Sequence, residues 1–183
     1  MTAKTLSPLS EHAGLLASNA PALLAEERPF LSQLNVRLRE GHDAAAAVLG
    51  TALPDACRFT SGIGDVLWLG PDEYLVLGAP EGTETALREA ITVGAVTEVS
   101  AQRATVQLAG PAARDVLAHG CSIDLHPKAT PPGTCVQTLL ARTGIVLLVR
   151  EAGEFTALVR QSFAPYFAAW LADAALEYRE EES

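Results

Sequence analysis

Two runs of alternating apolar and polar residues, 70 positions apart, constrain the fold of this chain more than any other feature. Leu34, Val36 and Leu38 alternate with polar side chains, and residues 104–108 repeat the alternation. Such alternation predicts half-buried β-strands, because successive side chains of a strand point to opposite faces of a sheet. A strand pattern that recurs at a fixed interval predicts a chain built from two similar halves.

A similar series of elements follows each of these strands. In the first half they are an Ala-rich helix over residues 43–49 that stops at Gly50, a hairpin of strands 65–69 and 74–77, and a helix over residues 83–91 capped by Thr83. In the second half they are a helix from Pro111 to Leu117, strands 135–142 and 145–149 around Thr143-Gly144, a strand at 155–159, and a last helix capped by Ser162. This order predicts an α+β fold with an internal duplication, in which helices pack on antiparallel sheets.

The sequence outside the repeats divides the chain further. We expect an N-terminal arm over residues 1–30, a single duplicated α+β domain over 31–178 with halves of about 31–97 and 98–178, and an acidic tail over 179–183. Residues 11–27 show a weak helical pattern that Asn19-Ala20-Pro21 interrupts. Scattered leucines with few apolar neighbours are typical of a segment that lies across a surface, either its own or a partner's.

Composition and charge exclude several classes of protein. Hydrophobic residues make up 49% of the chain and charged residues 19%, which is the balance of a globular protein. A net charge of −9 argues against nucleic acid as a partner, because phosphate backbones need clustered Lys and Arg. We expect neither a signal peptide nor a membrane-spanning stretch, and the three cysteines include no CxxC pair. These features predict a soluble, cytoplasmic protein.

The charge is unevenly distributed along the chain. Residues 99–150 carry five basic and two acidic side chains, whereas the rest of the chain is acidic. Such asymmetry is typical of a docking face for an acidic partner, and the alternative is a chance run of solvated side chains.

Candidate reactive residues are few. His119, Cys121, His126 and Cys135 form the one cluster of metal-type ligands, but their spacing does not match a structural zinc site. A Cys121 nucleophile would need a neighbouring base and an orienting group, and no such local signature surrounds it. Gly62-Ile63-Gly64 lacks the further glycine and the helix of a dinucleotide-binding loop. The sequence therefore predicts no catalytic, cofactor-binding or metal-binding residue.

The middle of the chain carries the residues of a known superfamily. Val99-Ser100, residues 103–113 and Val116-Leu117 resemble the central signature of the aminomethyltransferase (glycine cleavage T-protein) superfamily. Within that superfamily, five further segments resemble the gamma-subunit family of heterotetrameric sarcosine oxidases: residues 7–9, 30–37, 68–74, 120–125 and 133–140. The resemblance extends over nearly the whole chain and ends with the aromatic last helix.

The resemblance implies a role in a complex of four different chains. The partners would be the alpha, beta and delta subunits, which oxidise sarcosine to glycine with FAD, FMN, NAD and tetrahydrofolate bound outside this chain. The gamma chain would keep the shape of the folate-binding fold without a catalytic site. Glu98 lies where folate-using members place an acidic residue that meets the pterin, and the alternative is a solvated glutamate at a strand end. A free-standing folate-binding protein is therefore the competing hypothesis.

Six residues are candidate partner contacts: Leu6, Pro8, Leu9, Arg103, Arg142 and Trp170. Leucines in an arm without a core of its own, arginines in the basic segment, and a tryptophan at the edge of the last helix are all suited to binding a protein. The alternative for the aromatic stripe of that helix is ordinary core packing.

Overall fold

The computed structural model describes residues 6–17, 22–151 and 153–178 as two five-stranded antiparallel sheets with five α-helices. The strands are β1 (Leu24–Glu27), β2 (Gln33–Glu40), β3 (Phe59–Ser61), β4 (Asp65–Gly70), β5 (Glu73–Leu77), β6 (Val93–Glu98), β7 (Arg103–Ala109), β8 (Cys135–Leu140), β9 (Thr143–Glu151) and β10 (Glu154–Arg160). The helices are α1 (Ala13–Ala17), α2 (His42–Leu49), α3 (Thr83–Ala90), α4 (Ala113–Ala118) and α5 (Ala164–Ala174). Short 3₁₀ turns lie at Ser10–His12, Gln161–Phe163 and Leu176–Tyr178.

The first-repeat unit comprises residues 31–101 together with 133–136. Its sheet has the order β3-β4-β5-β2-β6, and β2 pairs with β5 so that Val36 lies opposite Tyr74. The predicted alternation of β2 is confirmed, since Leu34, Val36 and Leu38 are all buried. They pack into a core with apolar residues of α2, α3 and the neighbouring strands: Ala45, Leu49, Val66, Val76, Leu87 and Val96.

The second-repeat unit comprises the described residues of 1–30, 102–132 and 137–178. Its sheet has the order β1-β7-β10-β9-β8. β7 lies between β1 and β10, and its Ala104, Val106 and Leu108 are buried, as the repeat predicts. Phe155 of β10 and Phe167 of α5 are the largest fully buried side chains in this unit.

The duplication is visible in the strand orders. When the second sheet is counted from its other edge it has the order β8-β9-β10-β7-β1, which corresponds position by position to β3-β4-β5-β2-β6. The two sheets differ in the origin of the last strand. In the first unit β6 follows α3, whereas in the second unit the position is taken by β1, from the N-terminal segment. The predicted α+β fold with two duplicated units is confirmed.

Two predicted helix caps are wrong, although both helices begin within two residues of the predicted capping residue. Thr83 is the first residue of α3 and not its cap, because Gly82 takes the capping position with φ of 86°, and the Thr83 hydroxyl donates to the Pro80 carbonyl at 2.7 Å. Ser162 lies inside a 3₁₀ turn, and α5 begins only at Ala164.

The predicted start of the helix at Pro111 is likewise too early. Pro111 precedes α4, in a turn closed by the Ala113 N–H, which donates to the Gly110 carbonyl at 3.1 Å. Proline suits the second position of such a turn as well as it suits a first helical turn, so the residue alone does not distinguish the two structures.

The predicted turn between β8 and β9 is also misplaced. The chain reverses at Ala141-Arg142, and Thr143-Gly144 belongs to β9. Glycine at a turn is the usual signal for positive φ, but here Ala141 adopts φ of 50°. Its N–H donates to the Gly120 carbonyl at 2.8 Å. This tertiary hydrogen bond holds a conformation that local preferences would not choose.

The N-terminal segment folds differently from the weak helical pattern. Within it, Ala13–Ala17 are α-helical and Leu24–Glu27 form a strand, while Asn19-Ala20-Pro21 lie outside the described residues, as does the acidic tail at 179–183. Leu9, Leu16 and Leu23 are buried in the second-repeat unit. The segment therefore contributes to the core of that unit.

Strands β3 and β6 have no counterpart among the elements expected from the sequence. β6 buries only Val96 and shows no alternation, and β3 is only three residues long and has no buried residue. Among the described residues no helix is long and apolar enough to cross a bilayer.

Candidate partner-binding surface

Arg103 and Arg160 lie directly opposite each other at the ends of β7 and β10. Both line a surface cleft of about 370 Å³ in the second-repeat unit. The rest of the lining comes from β8, β9 and β10: Gln137, Thr138, Leu139, Gly144, Ile145, Val146 and Leu158. Arg103 is a candidate from the sequence, whereas Arg160 is not, because Arg160 lies outside residues 99–150 and only the register of β7 and β10 brings the two together.

Arg142 lies at the exposed tip of the β8–β9 turn. Its backbone N–H donates to the Tyr166 hydroxyl at 3.3 Å, so the turn is tied to α5. Leu139, three residues before Arg142, is 52% exposed and lines the cleft. The turn therefore continues the exposed surface that begins at the cleft.

The aromatic face of α5 is divided between core and surface. Phe167 is fully buried, whereas Phe163 and Tyr166 are exposed and Trp170 is half-buried. The Trp170 ring lies against Gly120, where an added Cβ would come within 2.6 Å of Cζ2. Trp170 is therefore held by packing against the backbone while part of its surface remains accessible.

The N-terminal candidates differ in accessibility. Leu6 is exposed and Pro8 is half-buried, but Leu9 is fully buried in the chain itself. The Glu27 carboxylate holds this segment, since it accepts hydrogen bonds from the Ser7 hydroxyl at 2.5 Å and from the Leu9 N–H at 3.3 Å. Leu6 is thus presented to solvent by a segment that is anchored immediately after it.

Further exposed apolar side chains were missed by sequence reasoning. Leu15, Leu24 and Phe30 are 38%, 53% and 66% exposed, and all three belong to the N-terminal segment. Phe30 also adopts φ of 58°, a conformation that is unfavourable for a bulky residue. Nothing in the sequence between β1 and the first repeat predicts that the Phe30 side chain is exposed. We name the exposed group Leu6, Leu15, Leu24 and Phe30 the N-terminal apolar group.

The His and Cys candidates are engaged in local contacts of the second-repeat unit, except for Cys135. His119 lies at the C-terminal end of α4, and its Nε2 is 2.9 Å from the Tyr178 hydroxyl and 3.2 Å from a Glu177 carboxylate oxygen. Cys121 is half-buried, with its backbone N–H donating to the Leu117 carbonyl. Across the described ranges, no three His, Cys, Asp or Glu side chains are grouped closely enough to hold a metal ion.

Cys135 belongs to the first-repeat unit, whereas Cys121 belongs to the second-repeat unit. It is buried beside Trp68, and burial, followed by the nearby Cys57, raises the pKa of its thiol to about 12. A thiol with so high a pKa is a poor nucleophile at neutral pH, because the thiolate is the reactive form.

The glycines at Gly62-Ile63-Gly64 serve the backbone packing of the first-repeat unit. A Cβ on Gly62 would lie 2.2 Å from the Leu49 carbonyl oxygen. The Gly62 N–H donates to the Gly64 carbonyl at 2.9 Å, and the Ile63 N–H donates to the Leu49 carbonyl at 3.0 Å. Because these amides are already engaged, they do not form the cradle that a dinucleotide phosphate requires.

Glu98 is exposed at the end of β6. Hydrogen bonds from the Ser100 hydroxyl and from the Ser100 N–H, the latter at 2.9 Å, hold the pKa of the Glu98 carboxyl below its usual value. The Ser100 hydroxyl oxygen in turn accepts from the Gln33 N–H at 2.9 Å. The Glu98 carboxylate therefore serves as a hydrogen-bond acceptor for Ser100 at the end of β6.

The two duplicated antiparallel units define an α+β fold that is also found in an aminomethyltransferase. The structure superposes on aminomethyltransferase T of the glycine cleavage system from Bartonella henselae with a TM-score of 0.64 and 11% identity, over 87% of this chain and 48% of that one. At this identity the likeness concerns the fold. The chain therefore belongs to the class of proteins with the aminomethyltransferase-like fold, as the central signature predicts.

Sequence comparison identifies the family within this class to which the chain belongs. The profile of the sarcosine oxidase, gamma subunit family matches residues 41–177. The sarcosine oxidase subunit gamma of Arthrobacter sp. is 37% identical over 171 residues, which cover 88% of this chain and 84% of the relative. This chain belongs to the sarcosine oxidase gamma subunit family. The resemblance noted in the sequence is confirmed.

A solved structure agrees with this assignment. A chain of the heterotetrameric sarcosine oxidase from Corynebacterium sp. U-96, in complex with pyrrole 2-carboxylate, matches with a TM-score of 0.89 and 33% identity. The match covers 98% of each chain.

Proposed function

We propose that this chain is a non-catalytic structural subunit of a heterotetrameric sarcosine oxidase complex, which oxidatively demethylates sarcosine to glycine. The observation that carries the proposal is the match to a chain of such a complex over 98% of both chains. Because the match spans both chains almost completely, this chain has the backbone of a subunit that is found in such a complex. Membership of the same complex is therefore the simplest role for this chain.

The proposed partners are the alpha, beta and delta subunits, with FAD, FMN, NAD and tetrahydrofolate bound in them. The backbone geometry at Gly62-Ile63-Gly64 supports this division of roles, because its amides hydrogen-bond within the chain. Cys135, with its raised pKa, is likewise unsuited to covalent chemistry. We place the complex in the cytoplasm.

Two groups of residues in the second-repeat unit are candidate partner contacts. One is the N-terminal apolar group, four exposed apolar side chains of one segment that a partner could cover. The other consists of Arg103, Arg142 and Trp170, which are cationic and aromatic residues of the types that dominate protein interfaces. Pro8 is half-buried and adjoins the first group in the sequence, whereas Leu9 is buried within the chain.

The absence of a catalytic role can be tested on the purified chain alone. We expect no oxidation of sarcosine and no stoichiometric flavin, measured by oxygen consumption and by absorbance after gel filtration. Turnover of an amine, or a bound flavin, would contradict the proposal. Calorimetric titration with tetrahydrofolate tests the competing hypothesis in the same sample, and saturable heat would favour a folate-binding protein.

A further inference from the structure

The facing pair Arg103 and Arg160 is an unusual feature of the second-repeat sheet. The two residues are direct partners in the register of β7 and β10. Side chains directly opposite each other in an antiparallel pair have Cβ atoms about 5 Å apart, and like charges at this distance destabilise the sheet. In a chain with a net charge of −9, acidic side chains are plentiful, yet this strand end carries two arginines.

The surroundings of the pair indicate what kind of group the cleft could bind. Arg160 is exposed and makes no ion pair within the part of the chain that the structure describes. Two residues along β7 from Arg103, on the same face of the strand, lies Thr105, which is 2% exposed. Its buried hydroxyl Oγ1 has no hydrogen-bond partner among the described residues. Thr105 does not itself line the cleft, whereas Arg103 and Arg160 do, and their guanidinium groups favour an anionic hydrogen-bond acceptor there.

The rest of the cleft defines the kind of anion. Leu158 and Val146 are cross-strand partners that line the cleft and are otherwise buried, so they give it an apolar floor. Gln137 and Thr138 add polar side chains, and Leu139 is an exposed apolar residue at the cleft. A carboxylate at the end of an aliphatic side chain matches this combination better than an inorganic anion, because the methylene groups would contact Leu158 and Val146.

We propose that the cleft between Arg103 and Arg160 binds an acidic side chain, Glu or Asp, presented by a partner subunit of the complex. The inference rests on the proposed function, because it needs a partner. Charge complementarity identifies the occupant, and the adjoining Leu139 and Arg142 extend the cleft into a surface that a protein segment can cover.

The Arg160→Glu variant separates binding from folding. The substitution replaces a repulsive cross-strand pair by a pair of opposite charges, so the isolated chain should unfold at a temperature equal to or higher than that of wild type. Its assembly with the partner subunits should nevertheless weaken by about 30-fold or more, because an acidic partner side chain would meet another carboxylate. Assembly is measured by the fraction of this chain retained in the co-expressed complex across a dilution series.

Arg39→Glu is the matched control, since Arg39 is an exposed arginine on β2 of the other sheet. We expect it to assemble like wild type, and Arg160→Lys to lose less than Arg160→Glu because it keeps the positive charge. Assembly of Arg160→Glu at wild-type strength would overturn the inference while leaving the proposed function intact. Equal weakening by Arg39→Glu would overturn it too, since the effect would then be one of net charge. Failure of the wild-type chain itself to assemble would instead contradict the proposed function, and the inference with it.

Discussion

Gly120 shows how a single residue positions a candidate partner contact. It lies where a Cβ would come within 2.6 Å of the Trp170 ring and 3.0 Å of the Ala141 backbone nitrogen. Gly120→Ala should therefore lower the free energy of unfolding by about 1–3 kcal/mol, because either the ring or the turn must move. Chemical denaturation measures the loss. Gly14→Ala is the control, since Gly14 has no atom within 4 Å of the added Cβ and lies in α1, where alanine is favoured. A Gly120→Ala variant as stable as Gly14→Ala would show that Trp170 is not tightly packed.

Cys135 is the residue whose ionisation should affect stability. Burial raises the pKa of its thiol from 9.0 to about 12, so the folded chain holds this proton more tightly than the unfolded chain. The resulting stability is fully present below pH 9 and is lost as pH rises toward 12. Between pH values of about 8 and 10, wild type should lose about 1 kcal/mol more than Cys135→Ala, measured by urea unfolding. Parallel pH profiles for the two proteins would contradict a buried, protonated thiol.

At the scale of elements, the N-terminal segment completes the second sheet. β1 pairs with β7 through residues 24–27, and Glu27 also anchors Ser7 and Leu9. Glu27→Ala should loosen the backbone around Ser7 and Leu9 and lower the free energy of unfolding by about 1–2 kcal/mol, because two hydrogen bonds to a carboxylate are lost. Hydrogen exchange of that segment should quicken. Glu26→Ala, at the neighbouring exposed position, should leave the exchange unchanged, and an equal effect of both variants would contradict the anchoring role of Glu27.

The strands that the sequence predicts differ from those that it misses in how they are buried. β2 and β7 are predicted because each is a strand with neighbours on both sides and a clear alternation of apolar and polar residues. β1 and β6 lie at sheet edges and are largely exposed, so their residues carry no such pattern. The same is true of the cleft. Arg103 is a candidate from the sequence because it lies in the basic segment, whereas Arg160 is recognised only from the pairing of β10 with β7. Contacts that depend on pairing between distant strands cannot be derived from local patterns.

At the scale of the whole molecule, the chain combines a strong negative charge with exposed apolar side chains. The net charge of −9 favours solubility, whereas the N-terminal apolar group favours association. Such a combination suits a chain whose partners cover part of its surface. Replacing Leu24 and Phe30 by Ser should weaken assembly without unfolding the chain, because both side chains are more than half exposed. Thermal unfolding of the isolated variant provides the control, and unchanged assembly would exclude this group from the interface.

Size-exclusion chromatography of the co-expressed subunits tests the structural role most directly. We expect this chain to elute entirely within the complex, and the partner subunits to lose their assembly when it is omitted. Elution of this chain on its own, beside a complete and active complex of the others, would contradict that role.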